Sequence, residues 1–290
     1  AASAPIVLRR VDYLADERDI LFVVGVNNGR NQPVPPVLGS AHNAIAVGAW
    51  DGNSSGQYTQ VEGEGRCKPD IVAPHRLTSF STPMVAAVCA RLLEVADRHP
   101  QSEAARHAEV IKAVLMAGAE KPDDWKPAED KPLDEHYGVG RARADESYGI
   151  LSQAKAEPNK PMDRFGWDFA RLNRNERVAY EVTIKEETAP LSIVLTWHRR
   201  IIGRLVQDPQ TGRKAWHNGA RVADFDLRLV HESGDTVRIA AKSTSDVDNV
   251  EHIHLPTVKP GRYVIHITRK DDQDERWDYA VAWRFGRWAK

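Results

Sequence analysis

"HRLTSFSTPMVAAVCARLLEVA", residues 75–96, sets Thr78, Ser79 and Ser81 just ahead of Pro83 and then runs into a nearly unbroken apolar stretch. Hydroxyls before a first-turn proline are ordinary capping chemistry, because the side-chain oxygens satisfy free backbone N–H groups and proline lacks one. From about Thr82 to Arg98 the residues Val85, Ala86, Ala87, Val88, Ala90, Leu92 and Leu93 make a helix that is apolar nearly all round and should be buried. Upstream, "PDIVAP" at 69–74 reads as a short strand, so the hydroxyls lie at the carboxyl end of a strand, where open α/β sheets place their sites. A hydroxyl at that helix start also sits in the field of the positive helix end, which favours developing negative charge. Two readings of Ser79 follow, a cap and a nucleophile.

Working outward, residues 5–29 read as a helix carrying Leu8, Val11, Leu14 and Ala15, then the buried strand "ILFVVGV" and a turn at "NNG". "AIAVGAW" at 44–50 is a second buried strand after a Pro-rich loop. Apolar strands without alternation, separated by loops and helices, describe a parallel sheet covered on both faces. A second helix, about 102–119, is amphipathic through Ala105, Val110, Ile111, Val114 and Leu115. Residues 120–137 are a charged, Pro-rich surface loop, and "YGVGRARADESYGIL" closes the region with a Gly turn and a short helix.

After "AKAEPNKP" the apolar period changes to two: "VAYEVTI", "SIVLTW", "DFDLRLV", "DTVRIA", "YVIHITR" and "YAVAWRF" alternate, with turns such as "ESGD" and "KPGR" between them. The expected organisation is an α/β parallel-sheet domain over 1–152, a linker at 153–160 and an all-β sandwich or jelly-roll over 161–290.

The 290 residues carry a formal net charge of −1 and 41% hydrophobic residues, enough to bury a substantial core. Near-zero charge and the absence of any Lys/Arg run argue against a nucleic-acid partner. No stretch is expected to supply the roughly 18–20 continuous apolar residues that span a bilayer, and the first residues lack the regions of a signal peptide. The two cysteines, Cys67 and Cys89, exclude a disulfide scaffold and a four-cysteine zinc site; whether they pair stays open.

"TSFSTPMVAA" resembles the nucleophile motif of the subtilisin-like serine proteases, Gly-Thr-Ser-x-Ala/Ser-x-Pro leading into a buried helix. "LFVVGVNNG" is similar to that family's oxyanion-hole strand, "NAIAVGAWDG" to the next strand, and "KPDIVAP" to the segment before the nucleophile. "HAEVIKAVLMAGA" and "YGVGRARADESYGIL" resemble the elements that finish the catalytic domain, so the likeness covers residues 5–152 in order.

This resemblance implies a serine endopeptidase acting on a protein or peptide substrate. Ser79 would be the nucleophile and Asn27, in "NNG", the oxyanion donor, with Asn28 as the other register. No cofactor is required for that chemistry. It also implies an extracellular or cell-envelope location.

Leu77 replaces the family's Gly, "APH" replaces "APG", and no Asp-x-Gly strand end or His-Gly-Thr helix start occurs. The resemblance therefore implies that an N-terminal segment or a partner chain supplies the Asp and His. Half of a parallel core would then expose a sheet edge and apolar helix faces. His75 and His42 read as loop residues. Without a base, Ser79 should hydrolyse peptides weakly or not at all.

"LSIVLTW", "ADFDLRLVHESGD", "SDVDNVEHIHL" and "KPGRYVIHIT" are similar to the β-sandwich often appended to these proteases. The resemblance implies structural calcium on Asp224, Asp226, Asp246, Asp248 and Asn249, hard oxygen donors that could equally be turn residues. Trp197, Tyr263, Trp283 and Trp288 read as core rather than a carbohydrate platform. The alternative function is a noncatalytic remnant of the family whose sandwich binds a protein or glycan.

Overall fold

Leu8, Val11 and Ala15 fall on one stripe of the first helix, α1 (Ala4–Arg18), and are buried there with Asp12. The computed structural model describes residues 4–207, 209–212, 214–234 and 236–288; Asp235 of the expected "ESGD" turn and the chain ends of the two expected domains lie outside the described residues. Strands β1 (Phe22–Gly25) and β2 (Ala44–Ala49) pair in parallel, as Phe22↔Ala44 to Gly25↔Val47. Strands β3 (Gln57–Tyr58) and β4 (Cys67–Lys68) make a small antiparallel ribbon. Strand β5 (Ile71–Ala73) pairs with the other side of β2, giving the order β1-β2-β5.

β2 and β5 are fully buried, as their unalternating sequences require. β1, expected to be buried, is instead the sheet edge: Phe22, Val23 and Val24 are half-buried and Gly25 is exposed. One row of its backbone groups faces no strand among the described residues.

Helix α2 (Thr78–Asp97) differs from expectation in the same direction. Only one stripe is buried, Thr78, Ser81, Val85, Cys89, Leu92 and Ala96. On the outer side Phe80 is 53% and Met84 44% exposed. Contrary to the reading that nothing in the chain could span a bilayer, α2 is long and apolar enough by composition, with 28% of its apolar window buried. Its stripe nevertheless packs on the sheet, as a core helix of an α/β layer does.

The expected helix at 102–119 is broken into α3 (Ser102–Ala105) and α4 (Ala108–Ala117). α4 is not amphipathic in its setting, because all ten of its residues are buried, Glu109 and Lys112 included. The reason is a second partner. Helix α5 (Ala144–Leu151) follows, and then two four-stranded antiparallel sheets.

One sheet contains β6 (Phe165–Leu172), β8 (Leu191–Thr196), β13 (Val250–Leu255) and β15 (Trp277–Phe285) in the order β13-β8-β15-β6. The other contains β7 (Arg177–Ile184), β11 (Phe225–Ser233), β12 (Thr236–Ser243) and β14 (Gly261–Arg269) in the order β12-β11-β14-β7. A hairpin of β9 (Arg200–Gln207) and β10 (Lys214–Arg221) was not signalled by alternation.

On β8 the two sides go to different cores: Val194 joins Val114 and Leu115 of α4, whereas Ile193 and Leu195 face the interior of the sandwich. That double duty explains why all six β8 residues are buried. Polar contacts reinforce the junction. Arg284 donates from Nε to Ala117 O at 2.9 Å and from Nη2 to Ala119 O at 2.9 Å, satisfying carbonyls at the end of α4. Asn43 and Arg199 exchange two hydrogen bonds of 2.8 Å across the same seam. Trp197, Tyr263 and Trp283 are core residues, each 3% exposed or less, whereas Trp288, also expected in the core, is half-buried. Cys67 and Cys89 are buried free thiols, and burial raises Cys89 to about 12.

The seam also holds neutral imidazoles. Desolvation, helped by the Lys121 charge, lowers His254 to about 3, while its Nδ1 lies 2.9 Å from Leu191 O. The unfolded chain, with an ordinary histidine value near ~6.5, binds this proton where the folded chain does not. Stability from this group is therefore present above ~6.5 and lost as pH falls towards the folded value. His254→Gln should flatten the pH dependence of unfolding free energy by up to about 1.4 kcal/mol per pH unit between about pH 6 and pH 4. Urea unfolding at several pH values checks it; parallel curves for both proteins would contradict it.

Candidate active site

Helix α2 begins just after β5 ends, and four hydrogen bonds fix its start. Ser81 Oγ donates to Ala73 O and to His75 O, both at 3.1 Å, tying the first turn to the strand end. Asn28 Oδ1 accepts from Thr78 N at 2.8 Å and from Thr78 Oγ1 at 3.1 Å. The cap therefore comes from another element. Leu77, at the N-cap position, makes no side-chain capping bond.

Leu77 has φ −122 and ψ 132, extended backbone that any residue adopts, so the replacement of the expected Gly imposes no strain here. Close approach is required elsewhere: a Cβ on Gly25 would lie 2.7 Å from Thr82 Oγ1. Glycine at the end of β1 lets the helix start sit directly on the strand.

Ser79, in the first turn, is exposed. Among the described residues its Oγ makes no hydrogen bond and no acceptor meets its N–H. It is thus not the capping hydroxyl. A free N–H beside a free hydroxyl at a positive helix end suits an acyl group that develops an oxyanion.

The "NNG" turn carries the second donor candidate. Gly29 takes φ 98, a left-handed conformation that glycine supplies, and bonds Asn53 O at 3.1 Å. Asn27 O accepts from Ser55 N at 2.7 Å, while its side chain is exposed and without a hydrogen bond among the described residues. Asn28 is committed to Thr78 through Oδ1, so Asn27 is the asparagine of this turn with neither side-chain atom bonded among the described residues.

His75 is no base for Ser79 in this arrangement. Its Nδ1 accepts from Leu77 N at 3.1 Å and its ring packs on Phe80 at 4.4 Å. His42 is buried, 3.6 Å from Asp12 and 3.2 Å from Arg199, and desolvation with the Arg66 charge lowers it to about 3. A recess of about 300 Å³ lined by Trp50, Pro74, His75 and Arg76 adjoins the helix start.

Of the five calcium candidates, Asp224, Asp226 and Asp246 lie near one another, whereas Asp248 and Asn249 are committed elsewhere. Asp248 accepts from Cys67 N and Ser245 Oγ, each at 2.8 Å, and Asn249 Nδ2 donates to Trp197 O at 2.7 Å and His42 O at 3.0 Å. Both stitch the sandwich to the α/β layer. Asp226 is buried against Arg228, at 3.1 Å, and Lys270. Asp224 is half-buried and its carboxyl is pushed up by desolvation and by Asp226 and Asp246. Among the described residues, mixed carboxylate and histidine groups with metal-like spacing occur elsewhere: Asp16, Glu109 and His198, and Asp19, His107 and Glu109. The sequence reading missed these, because their members are far apart in the chain.

Residues 3–140 match the sequence model of the Subtilase family, peptidase S8. No curated protein sequence matches the chain. Among solved structures, tripeptidyl peptidase 2 aligns with 94% of this chain and 33% of its own, at 10% identity and a TM-score of 0.37. The chain thus spans about a third of that protein. The pre-peptidase C-terminal domain of a collagenase from Bacillus anthracis aligns over 46% of this chain and 100% of its own, at 14% identity and a TM-score of 0.30.

Proposed function

Residues 3–140 being subtilase-family sequence, we propose that this chain carries the nucleophile half of a subtilisin-like serine endopeptidase and that a docked segment or partner chain supplies the acid/base half. The observation that carries the reading is the exposed first turn of α2. Ser79 has both its Oγ and its N–H uncommitted there, while Asn28 has taken over the capping.

In the completed site Ser79 Oγ attacks the carbonyl carbon of a protein or peptide substrate, and an imidazole of the incoming segment takes its proton. The oxyanion is held by Ser79 N–H and by Asn27 Nδ2, in the field of the helix end. The same imidazole returns the proton to the leaving amine, and water then resolves the acyl-enzyme by the reverse path. The unpaired edge of β1 and the uncovered face of α2 with Phe80 and Met84 are where such a segment would dock.

Hydrolysis of a fluorogenic peptide should be at background for the chain alone and appear when a segment with the family's Asp and His motifs is added. In that assembly Asn27→Ala should lower kcat by on the order of 10²–10³, the cost of one oxyanion donor in subtilisin itself. Asn28→Ala should instead cost about 1 kcal/mol of stability as a lost cap. Absence of hydrolysis with the segment bound would favour the noncatalytic reading, in which the sandwich binds a protein or glycan. That reading draws on the lack of a base beside Ser79 among the described residues.

A further inference from the structure

Away from Ser79, three carboxylates and two histidines from distant parts of the chain meet where α1, α4 and the turn after β8 come together. His198 Nδ1 lies 3.2 Å from Glu109 Oε1 and 3.7 Å from Asp16 Oδ1. On the other side of Glu109, His107 Nδ1 lies 3.6 Å from Asp19 Oδ2. In each trio the ligand atoms fall within 4.8 Å of one another.

The spacing is informative. Two ligands bound at about 2.0–2.1 Å in tetrahedral geometry sit roughly 3.3–3.4 Å apart, whereas charge-assisted hydrogen bonds close to about 2.7–2.9 Å. The separations around His198 bracket the first value and exceed the second.

Charge balance gives a second, independent reason. Among the described residues no Lys or Arg pairs with Asp16, Asp19 or Glu109, whose ion-pair partners are histidines alone. The nearby Lys112 is already held by Asp70 at 3.4 Å. Glu109 and His198 are buried, at 5% exposure each, and Asp16 is part-buried, so at this end of the cluster two carboxylates share one imidazole with limited access to water. A divalent cation removes the cost of that arrangement.

The positions are also held. Ala108 N donates to Asp19 Oδ1 at 2.8 Å, Thr196 Oγ1 to Glu109 O at 2.9 Å and Trp277 Nε1 to His198 O at 2.9 Å. The last two bonds fix the backbone from which the Glu109 and His198 side chains project.

We propose that Asp16, Glu109 and His198 bind one zinc-class divalent ion that clamps α1 and α4 to the sandwich. Asp19 and His107 adjoin it on the solvent side of Glu109. The histidine nitrogen selects zinc, or cobalt in its place, over calcium, which takes oxygen ligands.

Titrating the full chain with Co²⁺ should develop visible d–d absorption saturating at one ion per chain. Zn²⁺ should displace it and raise Tm, and Ca²⁺ should do neither. Glu109→Gln and Asp16→Asn should each weaken Zn²⁺ binding by more than about 10-fold, the lower bound for losing even a supporting residue, and His107→Ala by less. Circular dichroism of each variant separates ligand loss from misfolding. If Glu109→Gln does not fold, Asp16→Asn, whose carboxylate is part-exposed, decides. A wild-type chain that binds neither Co²⁺ nor Zn²⁺ overturns the proposal. So does binding that survives loss of Asp16, or that depends on His107 more than on Asp16.

Discussion

Ser79→Ala, in the assembly that supplies the family's Asp and His, is expected to lower kcat for peptide hydrolysis by on the order of 10⁶, the scale found for nucleophile loss in subtilisin itself. Stability should move by no more than about 0.5 kcal/mol, because Ser79 is exposed and its hydroxyl makes no hydrogen bond among the described residues. Ser81→Ala is the contrasting substitution. Ser81 is fully buried and donates to Ala73 O and His75 O, so its loss should cost about 0.5–1.5 kcal/mol from the lost hydrogen bonds, each carbonyl keeping a backbone N–H donor. Steady-state kinetics with denaturant unfolding of the two variants separates the roles. A stability loss at Ser79 with kcat intact would return it to the capping reading.

The largest stability effect is expected at Trp167. This side chain is fully buried on β6 within the cluster that joins α4 and α5 to the sandwich. Its Nε1 donates to Leu151 O and to Gln153 O, both at 3.1 Å, so it also satisfies carbonyls at the end of α5. Trp167→Ala should cost about 3–5 kcal/mol from lost burial and the cavity left behind. At roughly 2–4 °C per kcal/mol for domains of this general size, Tm should fall by about 10 °C. Calorimetry checks it, and a fall of under about 2 °C would mean that α5 and the sandwich do not share a core.

The parallel strands were legible because β2 and β5 are apolar without alternation and are buried on both faces. Most of the sandwich was legible because its strands alternate. What failed was the assignment of faces, and it failed in a paired way. α2 reads as apolar nearly all round yet has an uncovered side, whereas α4 reads as amphipathic and is buried throughout.

Composition says how much surface a helix would bury, not which neighbours are there to bury it. For α4 the second neighbour is the β8–β15 face of the sandwich, more than seventy residues downstream, and no local pattern announces it. For α2 the outer neighbour is absent from the described residues, and the half-buried β1 edge has the same character.

The site divided similarly. Ser79 was found from its place between a strand end and an apolar helix, a local signal. The division of labour between Asn27 and Asn28 was not readable, since adjacent asparagines differ only in where the chain turns after Val26. The acidic strand ends of the sandwich divide for a related reason. Asp248 and Asn249 are spent on backbone groups of the α/β layer, whose proximity depends on tertiary docking. By the same logic the His198 cluster was invisible, its ligands being drawn from residues 16, 109 and 198.

One measurement bears most directly on the claim that Ser79 is a nucleophile awaiting its base. The chain is treated with a fluorophosphonate, with and without a bound segment carrying the Asp and His motifs, and the adduct is located by peptide mass spectrometry. The expected result is a single adduct on Ser79 that forms much faster with the segment and is absent from Ser79→Ala. Labelling of Ser79 in neither condition, with the segment shown to be bound, would contradict the claim.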